Sequence, residues 1–370
     1  MPRISVAFSF MRIAINTRLL KPQQLEGIGR FTLETVKRII EQHPEHEFHL
    51  LFDHFQRELI PEGKNVVHHT LFPPARRPFL FDWWFNCSVP FLLKRIQADV
   101  FVSPDGHGSL HCPCPQLTVI HDLNFLHHPE FLPAQYAKYW NRTTPLVVQK
   151  TTRIATVSEF SKQDLIQSYA VLENKMDVLC NGVDAPQLDL HQPAQPYFVF
   201  VGALHPRKNL PNTLKAFEIF HARHPEFELK IVGQPLFQDT KIQEKQAGVT
   251  WLGRVDHESL FPLLQNSSGL IMVSHYEGFG IPILEALHCN VPVLAGANTS
   301  MPEIGGKCCL YANSNDVNEM ASKMKDLIAV DTQDNDWQEE RKSILKKYTW
   351  ERAADLLWGS ILKTIADASK

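Results

Sequence analysis

The sequence predicts an α/β protein made of two doubly wound domains, each a parallel sheet with helices on both faces. Three observations carry this expectation. Aliphatic runs of strand length alternate with segments of helical spacing along most of the chain, which is the signature of a parallel sheet covered by helices. The alternation comes in two series, parted by a polar stretch at 181–196 that carries three prolines and shows no period. The length, 370 residues, exceeds one average core, so two domains are expected.

The first series consists of Arg12–Asn16, Phe48–Phe52, Val66–Val67, Asp99–Ser103, Leu117–Ile120, Ile154–Val157 and Asp177–Cys180. Helical spacing lies between most of them, as in Phe31, Leu33, Val36 and Ile40. The second series consists of Tyr197–Val201, Leu229–Val232, Val249–Leu252, Leu270–Val273, Val291–Ala295 and Cys309–Tyr311. The stretch between the series reads as a hinge. The tail Tyr348–Leu362 is a helix with Trp350, Ala354, Leu357 and Ile361 on one stripe and Thr349 as its cap. Domain boundaries are therefore placed at 1–190, 191–347 and 348–370. Residues 1–10 read as a leader or an upstream start.

Composition narrows the function classes. A formal net charge of −3 with mixed apolar and charged residues gives no basic footprint for nucleic acid. No apolar run reaches membrane-spanning length. The seven cysteines are odd in number and irregularly spaced, without a CxxC pair, as expected of free thiols in a reducing compartment. Cys112-Pro-Cys114 lacks a second ligand pair at zinc-finger spacing.

Two doubly wound domains place a ligand at the carboxyl ends of their strands, in the cleft between them. The informative motifs do follow strands. After the buried run Gly269–Ser274 comes His275-Tyr-Glu277-Gly278-Phe279-Gly280-Ile281-Pro282, leading into a helix. Glu277 and Glu285 bracket this turn, and Gly278 and Gly280 let the backbone approach a bound group. Pro282 suits a first helical turn, and the N–H groups there face an anion or a hydroxyl-rich ligand. Without a ligand, the same segment is a tight turn with two solvated acids. Strand Tyr197–Val201 runs into Gly202-Ala-Leu-His-Pro-Arg207-Lys208-Asn209, with Leu210, Leu214 and Phe217 marking the next helix face. Adjacent cations beside helix N–H donors suit a diphosphate. The alternative is a solvated basic pair.

In the first domain His121 and Asp122 stand at a strand mouth, where they contact a substrate hydroxyl or act as base and orienter. Asp122 equally serves as a cap for the next turn. Gly27-Ile-Gly29-Arg30 follows the first strand and precedes a helix. Ser161 with Asp164 reads as a capping pair. Met301-Pro302-Glu303 lines the far wall of the same pocket or simply starts a helical turn. Asp334-Asn-Asp336 has metal-ligand spacing but reads as a solvated loop. Phe79–Phe85, continuing to Lys94-Arg95, reads as a buried helix by default and as a membrane-surface face in the minority case.

Taken together, these motifs resemble the retaining glycosyltransferases of family 4, whose two-Rossmann-domain architecture is called GT-B. The likeness rests on Glu277-x7-Glu285 with its Gly-Phe-Gly insert, Gly202 through Pro206-Arg207-Lys208-Asn209, Val157-Ser158-Glu159, Asn181-Gly182-Val183-Asp184 and Met301-Pro302-Glu303, which follow one another along the chain as they do in that family. It covers the chain after Met11. Gly27–Arg30 and His121-Asp122-Leu123 are similar to its bacterial mannosyltransferase branch.

The resemblance implies a nucleoside diphosphate sugar, GDP- or UDP-linked, bound mostly by the second domain, and a saccharide or lipid-linked acceptor bound mostly by the first. By position, Arg207 and Lys208 would hold the diphosphate, Glu285 the ribose and Glu277 the donor sugar. Gly202 and the backbone of Gly278, Phe279, Gly280 and Ile281 would line the donor site. His121 would lie near the donor sugar, and Gly27, Gly29 and Asp122 near the phosphates or the acceptor. The terminal helix would cross back onto the first domain. Neither metal nor cofactor is expected. Retention is assigned to same-face attack, with the leaving phosphate taking the acceptor's proton. The setting would be the cytoplasm, with contact at the inner membrane face left open. A GT-B sugar-nucleotide epimerase and a non-catalytic nucleotide-sugar-binding subunit remain as competing classes.

Overall fold

The structure, a computed structural model, describes residues 10–22, 25–55, 58–60, 62–184, 196–234 and 246–369, apart from the side chains at 257–258. The expected leader, but for Phe10, and most of the expected hinge lie outside the described residues. The chain forms two compact units. One comprises Met1–Val157, Ser161–Cys180 and Trp350–Lys370, and the other Ser158–Phe160 and Asn181–Thr349.

Among the described residues, the first unit holds β1 (Arg12–Asn16), β2 (Glu47–Phe52), β3 (Val66–Thr70), β4 (Val100–Ser103), β5 (Gln116–Val119), β6 (Arg153–Thr156) and β7 (Met176–Val178). They pair in the order β3-β2-β1-β4-β5-β6-β7, and every ladder is parallel. Every residue of β4 and β6 is buried, as a sheet covered on both faces requires of its central strands. Its helices are α1 (Gly27–Gln42), α2 (Pro78–Trp83), α3 (Val89–Ile96), α4 (Asn124–His127), α5 (Ala134–Lys150) and α6 (Glu159–Tyr169). The last of these begins on residues grouped with the second unit. Helix α1 buries Phe31, Thr32, Thr35, Val36 and Ile39, a stripe at helical spacing.

The second unit holds β8 (Tyr197–Val201), β9 (Glu228–Val232), β10 (Val249–Gly253), β11 (Gly269–Met272), β12 (Val293–Gly296) and β13 (Cys309–Ala312), in the parallel order β10-β9-β8-β11-β12-β13. Its helices are α7 (Leu210–His221), α8 (His257–Gln265), α9 (Ile281–His288), α10 (Met301–Gly305), α11 (Val317–Ile328) and α12 (Asn335–Lys347). Its core gathers Phe198, Phe200, Phe217, Phe220, Ile231 and Ile271 with Met320 and Met324.

The last helix, α13 (Trp350–Ala368), belongs to the first unit, where it packs along α1. Trp350, Ala354, Leu357 and Ile361 are all buried, as the stripe predicts. At its ends Arg38 bonds Glu351 at 3.0 Å, while Ser360 and Lys363 donate to Asp177 at 2.9 and 2.6 Å. Among the described residues no helix is long and apolar enough to cross a membrane.

In each sheet the strand order reverses once, between β1 and β4 and between β8 and β11. A crevice opens at the carboxyl ends of the strands at such a reversal. In the second sheet the motif residues after β8 and β11 lie there; in the first, Gly27–Arg30 follow β1 and His121-Asp122 follow β5, the neighbour of β4.

Several local expectations change. Asp334 starts α12 rather than sitting in a loop: its Oδ1 accepts the N–H of Trp337 at 3.1 Å, an ordinary N-cap. Ser161 and Asp164 do not form a cap, because α6 starts at Glu159. The Ser161 hydroxyl instead donates to the carbonyl of His121, and Asp164 pairs with His127 at 2.7 Å. Gly27 and Gly29 form the first turn of α1 and not a loop ahead of it. A Cβ on Gly29 would meet the Leu19 carbonyl oxygen at 3.0 Å, so close backbone packing accounts for that glycine. The aromatic segment is buried on one side only: Phe81, Trp84 and Phe85 are inside, whereas Phe79 and Trp83 face out.

Candidate active site

In the second unit the site is built where β8 and β11 end. Strand β8 runs into Gly202, which adopts φ +148, a conformation open to glycine. A Cβ there would meet Cε of Lys208 at 3.1 Å, so the bare backbone makes room for the lysine stem. A single turn, Pro206–Lys208, follows, and Asn209 at φ +58 redirects the chain into α7. The Asn209 amide is anchored at both ends of its reach, donating to the carbonyls of Val273 at 2.9 Å and Ser314 at 2.7 Å. Arg207 and Lys208 are thus held by a turn whose backbone is tied to the loops after β11 and β13.

Those two cations close on Glu277. Arg207 Nη1 lies 2.6 Å from Oε2, and Lys208 Nζ lies 2.7 Å from Oε1. Glu277 is 4% exposed. Burial alone would raise its carboxyl, but Arg207 and Lys208, with hydrogen bonds from Lys208 and Ser274, hold it down at about 2. Glu277 is therefore ionised at neutral pH. The Glu277 backbone is fixed as well: its N–H donates to Thr299 Oγ1 at 3.3 Å, and its carbonyl accepts from Ser300 Oγ at 2.9 Å. The Ser300 hydroxyl also reaches the carbonyl of Phe279 at 3.0 Å, and Ser158 Oγ donates to that of Gly278 at 2.7 Å. Gly280 at φ +105 turns the loop into α9, with Ile281 and Pro282 in the helix's first turn. Glu285 follows one turn later and is buried. Its charge, added to burial, pushes the Cys289 thiol up to about 12. Glu303 accepts the N–H groups of Glu159 and Phe160 at 3.0 and 3.1 Å.

In the first unit a cavity of about 180 Å³ opens beside the ends of β4 and β5. Ile28, between the two expected glycines, lines it together with His121, Asp122, Asn124, Phe125 and Trp140. Asp122 caps the following turn, accepting the N–H of Asn124 at 3.0 Å. His121 Nε2 lies 2.8 Å from the carbonyl of Pro104, and the Phe31 ring meets the imidazole edge-on at 5.1 Å. Burial holds His121 below its ordinary value, so it is neutral at pH 7. A neutral ring facing a carbonyl carries its proton on Nε2, which leaves Nδ1 as an acceptor.

Sequence reasoning missed the floor of this cavity. Asp105 pairs with Arg18 at 2.6 Å, and Arg18 lies over the rings of Phe81 and Phe85 at 5.1 and 5.9 Å. Burial raises the Asp105 carboxyl, but Arg18 and His107 bring it well below the usual carboxylate range. The signal was available: Ser103-Pro-Asp105-Gly-His107 follows a strand just as His121-Asp122 does.

Comparisons with known proteins identify the family. The profile of the glycosyl transferases group 1 matches residues 187–344, and that of glycosyltransferase family 4 matches residues 25–187. O-antigen chain mannosyltransferase B of Escherichia coli is 26% identical over 92% of this chain and 97% of its own length. O-antigen chain mannosyltransferase RfbU of Salmonella typhimurium is 25% identical over 71% and 74%. Among solved structures, WaaG, a glycosyltransferase involved in lipopolysaccharide biosynthesis, superposes with a TM-score of 0.73 at 14% identity, covering 93% of this chain and 99% of that one. HepE of Anabaena in complex with UDP and glucose does so with a TM-score of 0.70 at 16% identity, over 95% and 99%. The two sheets, the two profiles spanning residues 25–344 and a relative aligned over 97% of its own length place this chain in one family: it is a glycosyltransferase of group 1, family 4, with the GT-B fold.

Proposed function

We propose that this glycosyltransferase moves a hexose, mannose, from a nucleoside diphosphate sugar to a saccharide or lipid-linked acceptor in surface polysaccharide or glycolipid synthesis. It would do so with retention, without a metal, in the cytoplasm at the inner face of the membrane. The observation that carries the donor half is the cationic pair Arg207–Lys208, fixed beside Glu277 at the strand-order reversal of the second sheet. The mannose assignment draws on the two O-antigen mannosyltransferases. The HepE complex with UDP supports a nucleoside diphosphate as the leaving group, with the base, uracil or guanine, to be read from binding.

In this scheme the diphosphate lies against Arg207 and Lys208. As the bond between the sugar's C1 and the phosphate oxygen breaks, charge gathers on the leaving diphosphate, and two preplaced cations stabilise it without reorganising. A diphosphate would share these cations with Glu277. Glu277 orients both cations and offers its remaining lone pairs to sugar hydroxyls. Glu285 takes the ribose hydroxyls, and Gly202 with the Gly278–Ile281 backbone borders the sugar and phosphates. The acceptor hydroxyl forms the new bond to C1 on the face the phosphate leaves, and its proton passes to the phosphate oxygen. His121, with Nδ1 as acceptor, and Asp122 serve the sugar and acceptor in the first-unit cavity, alongside the Gly27–Gly29 turn.

The test is a panel of nucleoside diphosphate sugars screened by thermal shift, followed by donor consumption with and without a mannosylated acceptor. Transfer predicts that one donor raises the melting temperature most, and that it is consumed in proportion to acceptor. Conversion of the donor alone would indicate the epimerase. No conversion, with Glu277→Ala leaving polysaccharide output unchanged, would indicate a binding subunit.

A further inference from the structure

The buried cluster under the first-unit cavity has no part in the chemistry described so far. Asn16, Arg18, Ser103, Asp105 and His107 are all buried. They join the ends of β1 and β4, the strands between which the first sheet reverses its order. Asn16 Nδ2 donates to Ser103 Oγ at 3.0 Å, and that hydroxyl donates to Asp105 Oδ1 at 3.3 Å. Arg18 Nε donates to Asp105 Oδ2 at 2.6 Å, and the His107 N–H donates to Oδ1 at 3.2 Å. A guanidinium can only donate, so His107 Nδ1, 3.1 Å from Arg18 Nη2, is an acceptor and the ring's proton sits on Nε2. Burial, and after it Arg18, holds His107 below its ordinary value, in keeping with a neutral ring. Both carboxylate oxygens of Asp105 are thus engaged in fixing the turn at 103–107.

A buried ion pair is often no more stabilising than apolar side chains of the same volume. What this one supplies is geometry. Pro104 lies between the anchored Ser103 and Asp105 with its φ fixed by the ring, and Gly106 at φ +80 completes the turn. The Pro104 carbonyl then meets His121 Nε2 at 2.8 Å. Other elements hold the rest of His121: its carbonyl accepts from Ser161 Oγ at 3.1 Å, and Phe31 of α1 meets the ring edge-on. Among the described residues its Nδ1 makes no hydrogen bond, and the side chain lines the cavity. The bond made by one nitrogen of a neutral imidazole sets which nitrogen carries the proton. The Pro104 carbonyl therefore decides whether Nδ1 can accept from a hydroxyl in the cavity.

We propose that Arg18 and Asp105 are positioning residues for His121: by locking the 103–107 turn they aim the Pro104 carbonyl at Nε2 and keep Nδ1 an acceptor toward a sugar hydroxyl. The use made of Nδ1 rests on the transferase reading. The tautomer does not, because it is read on the free protein.

The test is long-range proton–nitrogen correlation NMR of the full chain carrying 15N-histidine, recorded at mildly alkaline pH beside melting temperature and turnover. The chain has 18 histidines, so the His121 signal is assigned by its loss in His121→Gln. Wild-type His121 should show a protonated Nε2 and a bare Nδ1. Arg18→Met/Asp105→Leu removes the pair without leaving one buried charge alone, so its melting temperature should stay near that of the wild type. His121 should nevertheless become a mixture of tautomers, and turnover of GDP-mannose with a mannosylated acceptor should fall about ten-fold. The single variants add a signature of charge. Burial lowers the His121 ring, while the Pro104 carbonyl, Asp122 and Asp105 act against it, and Arg18 offsets Asp105. Arg18→Met should therefore raise the pH at which His121 titrates and Asp105→Asn should lower it, with the tautomer loosened in both. A purely structural pair would change melting temperature and leave the His121 tautomer alone. A wild-type His121 protonated on Nδ1, or the wild-type tautomer kept in the folded variants, would overturn the proposal. A tautomer that shifts while turnover holds would support the positioning and remove His121 from the reaction.

Discussion

Replacing Glu277 by glutamine tests the electrostatic design of the site with little change of shape. The carboxylate is buried between Arg207 and Lys208, at 2.6 and 2.7 Å. Its value of about 2, against 4.5 for a free glutamate, corresponds to about 3 kcal/mol in favour of the ionised, paired form. That agrees with the low end of the ~3–5 kcal/mol lost when one partner leaves a buried pair. The low end is expected because the Arg207 side chain, 27% exposed, regains some hydration. In a unit of this size the melting temperature should fall by about 6–12 °C. The pH dependence has a definite sign. A carboxyl lowered on folding stabilises the fold above its unfolded value near 4.5, and that contribution is lost as pH falls toward about 2. Glu277→Gln should therefore flatten the acid limb of the stability curve in that window. It also removes a negative charge from beside Arg207 and Lys208, so added nucleoside diphosphate should lift the variant's melting temperature more than the wild type's, while turnover falls. Differential scanning fluorimetry from pH 2 to 7, with and without nucleotide, reads all of this. An unchanged melting temperature together with an unchanged acid limb would refute the buried clamp.

Arg207→Ala should weaken binding of the nucleoside diphosphate by about ten- to a hundred-fold, the worth of a charge-assisted hydrogen bond, and leave the free nucleoside nearly untouched by calorimetry. Glu285→Gln should act in the opposite way, weakening nucleoside and nucleotide alike with a smaller effect on the chemical step at saturating donor. Gly202→Ala sets a methyl against the Lys208 stem at a φ of +148. It should raise KM for the donor while the protein still folds, and a wild-type KM would show that Lys208 does not need that space.

Much of the fold was legible because parallel sheets announce themselves. The runs at β4, β11 and β12 are buried throughout and almost wholly apolar, so their positions stand out. Arg207, Lys208 and Glu277 were legible because each stands just past such a run. Their mutual contact was not: 70 residues separate Arg207 from Glu277, and only the strand order places β8 next to β11. The same limit hid the bond from Ser158 to Gly278 and the use of Glu303 by Glu159 and Phe160. Asp334 was misread because an N-cap and a solvated loop share the same residue types. The aromatic segment read as a buried helix is one on a single side, with Phe81, Trp84 and Phe85 inside and Phe79 and Trp83 outside, because periodicity marks two apolar faces as easily as one.

The most direct test of the transferase account is proton NMR of the reaction with a nucleoside diphosphate α-hexose and a saccharide acceptor, followed at the anomeric signals. The account predicts that donor disappears in proportion to acceptor, that the product keeps the donor's anomeric configuration, and that Arg207→Ala slows its appearance sharply. A product of inverted configuration, or donor converted to another hexose with no acceptor present, would contradict it.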